Sequence, residues 1–316
     1  MKISGFTFLR NAEKLYYPYV ESIQSILDLV DEFVVVLGQG DPDDLTGYRL
    51  AQITSPKLKI YHSLWDLEKY PNGAEYGHQT DLAKEKCSGD WLFYLQGDEL
   101  IHEKDHPLIR QACSTYLDNT RVEGFVLEYL HFFGDYDHYF KDHCWYKREI
   151  RVIRNLPDIH SWKDAQSFRI IPDFKGNDYF RIKNTRKLNC IALPVDVYHY
   201  GWVRPPGMIV KKNEVVLHNY TVPIFQTYHS LFDYGRIDRC LIFQGDHPSR
   251  MAEWILKHDW KNLLRYSGPA ALNRSLMKHE KLKYRVLRFI EENLLFGYVL
   301  GGFNNFKQIG KFNPRH

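Results

Sequence analysis

Cysteine is scarce in this 316-residue chain. Cys87, Cys113, Cys144, Cys190 and Cys240 lie far apart and never fall in a C-x-x-C spacing. An odd, scattered set disfavours a disulfide framework or a structural zinc site and fits a reducing compartment. Long apolar runs are missing as well: no stretch reaches the ~20 residues of a spanning helix. The chain opens at Met1-Lys2-Ile3-Ser4-Gly5, straight into a strand-like run with no apolar leader, so a cytoplasmic protein is expected. Net charge is almost absent too. Forty-two Lys and Arg against 39 Asp and Glu leave +3, which gives no reason to expect nucleic acid as a partner. Leu9-Arg10-Asn11-Ala12-Glu13, after the first strand-like run, contains no glycine. The phosphate loop of a nucleotidyltransferase is therefore missing. Internal repeats and low-complexity linkers are absent.

What is plentiful is aromatic: 22 Tyr, 19 Phe and 7 Trp make 15% of the residues, suited to packing and to stacking on sugars or bases. Strand-like runs at Ile3–Leu9, Phe33–Leu37, Leu58–Tyr61 and Trp91–Leu95 alternate with helical segments. The first helix ends at Val30, others span Leu45–Ile53 and Thr80–Cys87, and one carries Leu108 to Leu117. Strands alternating with helices imply crossover connections and a mainly parallel sheet. From Gly124 the strand-like runs come without intervening helices and read as antiparallel additions with long loops. After Arg204-Pro205-Pro206 the chain turns helical. The expected organisation is α/β over residues 1–205, with a mainly helical extension over 206–316 packed on it.

Two turns carry chemistry. Gly38-Gln39-Gly40-Asp41-Pro42-Asp43-Asp44 follows one buried strand, and Gln96-Gly97-Asp98-Glu99 follows another. In a parallel sheet both open on the same edge, where ligands sit. Acids gathered in a cleft repel one another unless something positive lies between them, and a divalent metal bound to a diphosphate meets that need. Asp41, Asp43 or Asp44 could accept bonds from a base or ribose, and Asp98 could hold the metal.

Strand one ending at Arg10-Asn11, Asp31-Glu32-Phe33-Val34-Val35-Val36 with its acidic turn, and Gly89-Asp90-Trp91 running into Leu95-Gln96-Gly97-Asp98-Glu99 together resemble family-2 glycosyltransferases. Val197-Tyr198-His199-Tyr200-Gly201-Trp202-Val203-Arg204 also resembles a branch of that group. The resemblance implies a GT-A, Rossmann-like domain, transfer of a sugar from a nucleotide diphosphate sugar (UDP- or GDP-linked) to a hydroxyl of a glycan or lipid-linked acceptor, inversion at the anomeric carbon, and a role in surface polysaccharide or glycoconjugate synthesis. It further implies a nucleotide-sugar pocket containing Phe8, Arg10, Gln39 and Asp41, with Asp81, Gln96 and Asp98 beside them. Asp98 and His199 would hold Mn²⁺ or Mg²⁺, and Asp164, next to Trp162, would be the acceptor-activating base, with Asp158 and Asp173 as alternatives. Gln96 departs from the family's D-x-D pattern. That departure keeps open a second reading, a protein that binds nucleotide sugars without turnover.

Near the end of the chain, Lys278, Lys281, Lys283, Arg285 and Arg288 accompany Leu282, Val286, Leu287, Ile290, Leu294 and Leu295. A basic amphipathic helix of this kind either packs its apolar stripe on the main domain or lies on an anionic membrane surface.

Overall fold

Phe33 and Val35 pack on one side of their strand and Val34 and Val36 on the other, and all four are buried. A strand covered on both faces belongs in the middle of a layered α/β structure. The computed structural model, which describes residues 1–142, 145–218, 232–268, 275–295 and 304–313, has that architecture. Its first half runs β1 (Ile3–Leu9), α1 (Tyr19–Ile26), β2 (Glu32–Gly38), α2 (Thr46–Leu50), β3 (Leu58–Ser63), α3 (Ala74–Glu85), β4 (Trp91–Tyr94), β5 (Glu99–Ile101) and α4 (His106–Thr115). There follow β6 (Gly124–Phe133), β7 (His138–Phe140), β8 (Arg148–Arg154), β9 (Ile159–Trp162), β10 (Ser167–Ile170), β11 (Arg186–Lys187) and β12 (Asn189–Trp202). The remainder is α5 (Pro206–His218), β13 (Leu241–Ile242), α6 (Ala252–Lys257), α7 (Leu282–Asn293) and β14 (Lys307–Lys311).

The main sheet is mixed and mostly parallel, as expected. β3, β2, β1 and β4 lie side by side in parallel. β8 runs antiparallel between β4 and β6, and the long β12 lies parallel to β6 on its other edge. β5 and β7 add antiparallel strands. β13 and β14, from beyond residue 205, pair with β7 and β12 in the same sheet. β9, β10 and β11 form a separate antiparallel sheet of three strands. One face of the main sheet buries Ile23, Ile26, Ile109 and Ala112 from α1 and α4; the other buries Ala83 of α3 and Phe168 of β10.

Polar groups lock the strand starts. The buried Glu32 carboxylate accepts from Ser4 Oγ (2.6 Å), Ser88 N (2.7 Å) and Ser88 Oγ (2.7 Å), and pairs with Lys59 (2.5 Å). These bonds join β1, β2, β3 and the turn before β4, so that the carboxyl ends of the strands keep a common edge.

Two features differ from the sequence expectation. α3 begins at Ala74, not Thr80, because its buried positions are largely polar (Glu75, Gln79, Asp81, Lys84) and no apolar period marks the first turns. Of the apolar stripe expected near the end of the chain, Leu282, Val286 and Leu294 are exposed and Leu287, Ile290 and Leu295 are half-buried, so it is only partly covered. Cys87, Cys113, Cys190 and Cys240 are free thiols, and Cys144 lies outside the described residues. No helix among the described residues is long and apolar enough to cross a membrane.

Candidate functional site

The carboxyl ends of β1 and β4 border a cavity of about 470 Å³, a size suited to a small ligand. Phe8, Arg10 and Asn11 line it from the end of β1, Gln96, Gly97 and Asp98 from the turn after β4, and His199 from β12. Asp164 and Gln166 enter from the β9–β10 hairpin and Lys212 from α5. Six expected site residues thus share one wall system: Phe8, Arg10, Gln96, Asp98, Asp164 and His199. Asp158 and Asp173 do not line the cavity.

The other three expected residues stand behind the wall. Arg10 Nε donates to the Gln39 carbonyl (3.0 Å). Asp41 accepts from Asn11 Nδ2 (3.1 Å), returns its own N–H to Asn11 Oδ1 (2.8 Å), and pairs with Lys14 (2.8 Å). Asp81 is buried under the hairpin, accepting from Ser161 N (2.7 Å) and pairing with His160 Nδ1 (2.8 Å). It therefore ties α3 to β9 and does not face the cavity.

The two acids after Gly97 have different fates. Glu99 is fully buried and takes a bidentate hydrogen bond from Arg151 (2.7 and 2.8 Å) and one from Tyr129 Oη (2.8 Å). Such forked pairs fix geometry, and this one anchors the turn. Asp98 is left for the cavity. Its Oδ2 lies 3.6 Å from both Arg204 Nη2 and Lys212 Nζ, and its Oδ1 lies 3.8 Å from His199 Nε2. Burial alone would raise the Asp98 pKa, but the charges of Lys212 and Arg204 hold it below the ordinary carboxylate value. Burial pulls the Lys212 ammonium down to about 7, helped by repulsion from Arg204; an anion in the cavity opposes that loss.

Gln96 is explained by its amide. Its Nε2 donates to the Ala165 carbonyl (3.3 Å), a bond that an aspartate could not make. Arg151 Nη1 adds a bond to the Gln166 carbonyl (3.3 Å), and Lys163 N–H donates to Tyr179 O (2.8 Å). The hairpin tip is thus fastened on both sides of Asp164. Lys163 and Ala165, which flank it, both adopt positive φ (59° and 62°). Residues with a Cβ are strained there, and such strain collects at functional positions.

His199 has a fixed proton arrangement. His131 Nε2 must donate to the Tyr146 carbonyl (2.7 Å), because a carbonyl can only accept. Burial drives the His131 pKa well below the ordinary value, so its ring is neutral and Nδ1 accepts. The 2.8 Å contact to His199 Nδ1 is then a donation from His199, which leaves His199 Nε2 with a bare lone pair toward Asp98. Burial brings the His199 pKa to about 4, so this ring is neutral as well. A neutral imidazole whose other nitrogen donates a hydrogen bond is the usual form of a metal-binding histidine. Gly201 keeps the adjoining space free: a Cβ there would collide with His199 Nε2 and stand 3.1 Å from Asp98 Oδ2. Asp98 and His199 therefore fit as two ligands of a divalent cation. No group of three or more His, Cys, Asp or Glu among the described residues could hold a metal unaided, and a bound diphosphate could supply further ligands.

Sequence reasoning missed Trp65 and Tyr76, which complete an aromatic wall with Phe8, and it missed the cations. Phe8, Trp65 and Tyr76 have ring centroids 5.4–6.1 Å apart, and Arg10 covers Trp65 at 4.8 Å. Trp65 Nε1 is buried without a partner. Lys212 and Arg204 follow His199 closely in sequence, which was the available signal.

No known family's sequence profile and no curated protein matches the chain. Solved structures show limited likeness. Staphylococcus aureus TarS is 14% identical with a TM-score of 0.39, over 76% of this chain and 42% of its own. This chain therefore spans about two fifths of that protein's length. A TarS 1–349 structure in complex with UDP-GlcNAc is 15% identical with a TM-score of 0.36, over 76% of this chain and 70% of its own. Glucosyl-3-phosphoglycerate synthase from Mycobacterium tuberculosis, in complex with Mn²⁺, UDP and phosphoglyceric acid, is 18% identical with a TM-score of 0.27, over 41% and 43%. Likeness at this level assigns no residue a role. The fold itself, a mostly parallel sheet flanked by helices with antiparallel additions, agrees with the GT-A class expected from the sequence.

Proposed function

We propose that this chain transfers a sugar from a nucleotide diphosphate sugar to an acceptor hydroxyl. The observation that carries the reading is one cavity that joins an aromatic wall, a cation-flanked Asp98 and a strained hairpin tip bearing Asp164. Phe8, Trp65 and Tyr76 suit a base or sugar ring. Asp98, His199, Lys212 and Arg204 suit a diphosphate and its counter-charge. A divalent cation, Mn²⁺ or Mg²⁺, held by Asp98 and His199 with the diphosphate would neutralise charge on the leaving group.

An acceptor hydroxyl is a poor nucleophile at neutral pH and needs a base within hydrogen-bond reach. Asp164 takes the hydroxyl proton while the acceptor oxygen bonds to the anomeric carbon. The bond from that carbon to the diphosphate oxygen breaks, and its electron pair leaves with the nucleoside diphosphate. Attack opposite the leaving group inverts the anomeric centre. The hairpin ties through Gln96, Arg151 and Lys163 hold Asp164 in place for this step. They also weaken the alternative of a binding protein without turnover, because Gln96 has a use of its own.

Residues 1–205 form the nucleotide-sugar and catalytic unit in this reading, with Lys212 contributed by the following helix. A cytoplasmic enzyme of glycan or glycoconjugate synthesis, using a UDP- or GDP-sugar and a glycan or lipid-linked acceptor, fits the site. The exposed Leu282, Val286 and Phe289 of α7, beside the exposed Lys281, Lys283 and Arg285, suit peripheral contact with an anionic membrane. The test of the transferase reading is acceptor-dependent release of nucleoside diphosphate across a panel of UDP- and GDP-sugars with Mn²⁺ or Mg²⁺. Donor binding with no release on any acceptor would leave the binding-protein reading in its place.

A further inference from the structure

Asp98 is outnumbered. Arg204 is fully buried and Lys212 lines the cavity, and each puts a nitrogen 3.6 Å from the same carboxylate oxygen. Arg204 Nε donates to the Leu15 carbonyl (2.8 Å) and Nη1 to the Gly201 carbonyl, but Nη2, the nitrogen nearest Asp98, has no hydrogen-bond partner. Lys212 Nζ donates to the Gly201 carbonyl (3.0 Å). Both cations lie over the Tyr17 ring, at 4.3 and 5.1 Å, which fixes their approach to the carboxylate. Glu99 offers no relief, since Arg151 already neutralises it.

Two basic side chains thus converge on one carboxylate oxygen beside the cavity, more donors than Asp98 alone can satisfy. A free divalent cation would be repelled by such a group. A diphosphate would be attracted, and it would give the unpartnered Arg204 nitrogen an acceptor, relieving a buried donor that is costly to leave unpaired. We infer that Lys212 and Arg204 form a built-in diphosphate site that binds the nucleotide's diphosphate without a divalent cation. Any metal at Asp98 and His199 arrives with the nucleotide, adding to an affinity that the two side chains already supply.

The inference rests on the nucleotide-sugar reading, and its test separates the two. The full chain is titrated calorimetrically with UDP and with inorganic pyrophosphate, in EDTA and in Mn²⁺, and with Mn²⁺ alone. Expected are binding of both anions in EDTA, no binding of Mn²⁺ alone, and a loss of about tenfold or more in EDTA for Lys212→Met, the scale of one charged hydrogen bond. Lys212→Arg should restore the affinity, which a merely structural role would not predict. Asp98→Asn, which removes the negative charge set against both cations, should tighten binding of both anions in EDTA and lose the effect of Mn²⁺. UDP binding that appears only with Mn²⁺ would overturn the inference and leave the transferase reading intact. Loss of EDTA binding in a folded Asp98→Asn protein would overturn it too. Failure of both anions, and of GDP in place of UDP, to bind under any condition would overturn both.

Discussion

Asp81 separates the structure from the family resemblance, which would put this residue against the nucleotide. Its carboxylate instead accepts from Ser161 N at 2.7 Å and pairs with His160 at 2.8 Å, with little exposure. In Asp81→Ala the charge-assisted bond is lost, about 1.5–3 kcal/mol, and a buried N–H is orphaned, about 1–3 kcal/mol more. A total of about 2.5–6 kcal/mol is expected. With an unfolding entropy of about 2.1 cal/mol/K per residue over 316 residues, Tm should fall by about 4–9 °C. Asp81→Asn keeps an acceptor for Ser161 and should lose about half as much. Calorimetric unfolding gives the stability, and a donor titration at a temperature where both variants are folded gives the affinity. Donor affinity should stay unchanged, while transfer slows because β9 carries the Asp164 hairpin. A variant with normal Tm but lost nucleotide affinity would refute the reasoning and put Asp81 in the donor pocket.

Gln96→Asp should lose the bond to the Ala165 carbonyl and set a carboxylate near it, costing about 1–3 kcal/mol; Mn²⁺-dependent affinity that tightens at unchanged stability would show instead that the side chain faces the metal. Glu149 is buried, and burial raises its pKa from the ordinary 4.5 to about 7. The folded state therefore keeps a proton that the unfolded chain releases, and stability should fall as pH rises between these values, by on the order of 3 kcal/mol. Glu149→Gln should flatten that slope in chemical unfolding and be the more stable protein at pH 8; an unchanged slope contradicts the assignment. For α7, Leu282→Ser with Phe289→Ser should abolish co-sedimentation with phosphatidylserine vesicles, and a wild-type chain that ignores such vesicles would end the membrane reading.

The parallel strands were legible because their residues announce themselves. Phe33 to Val36 and Trp91 to Leu95 are short apolar runs buried on both faces, and each leads into a turn that composition marks. The start of α3 was hidden because Glu75, Gln79, Asp81 and Lys84 occupy its buried side. The β9–β10 turn was hidden for a different reason. Lys163 and Ala165 take positive φ without being Gly or Asn, so nothing in their chemistry signals a tight tip. Asp98 could be named from its place after a strand-like run, and His199 and Asp164 from the family resemblance. Lys212 and Arg204 could not be assigned to Asp98 from sequence, since their approach depends on β12 pairing with β5 and β6 and on α5 turning back from its end. Gln96 looked like a lost ligand until the hairpin it holds was seen.

The catalytic claim comes down to Asp164. Asp164→Asn keeps the side chain's shape and leaves the ties through Gln96, Arg151 and Lys163 in place. The decisive measurement is the single-turnover rate of sugar transfer by this variant beside its calorimetric donor affinity. The account predicts a rate at least about a hundredfold lower, the usual loss on removing a general base, with donor affinity unchanged. Near-normal turnover in Asp164→Asn would contradict it.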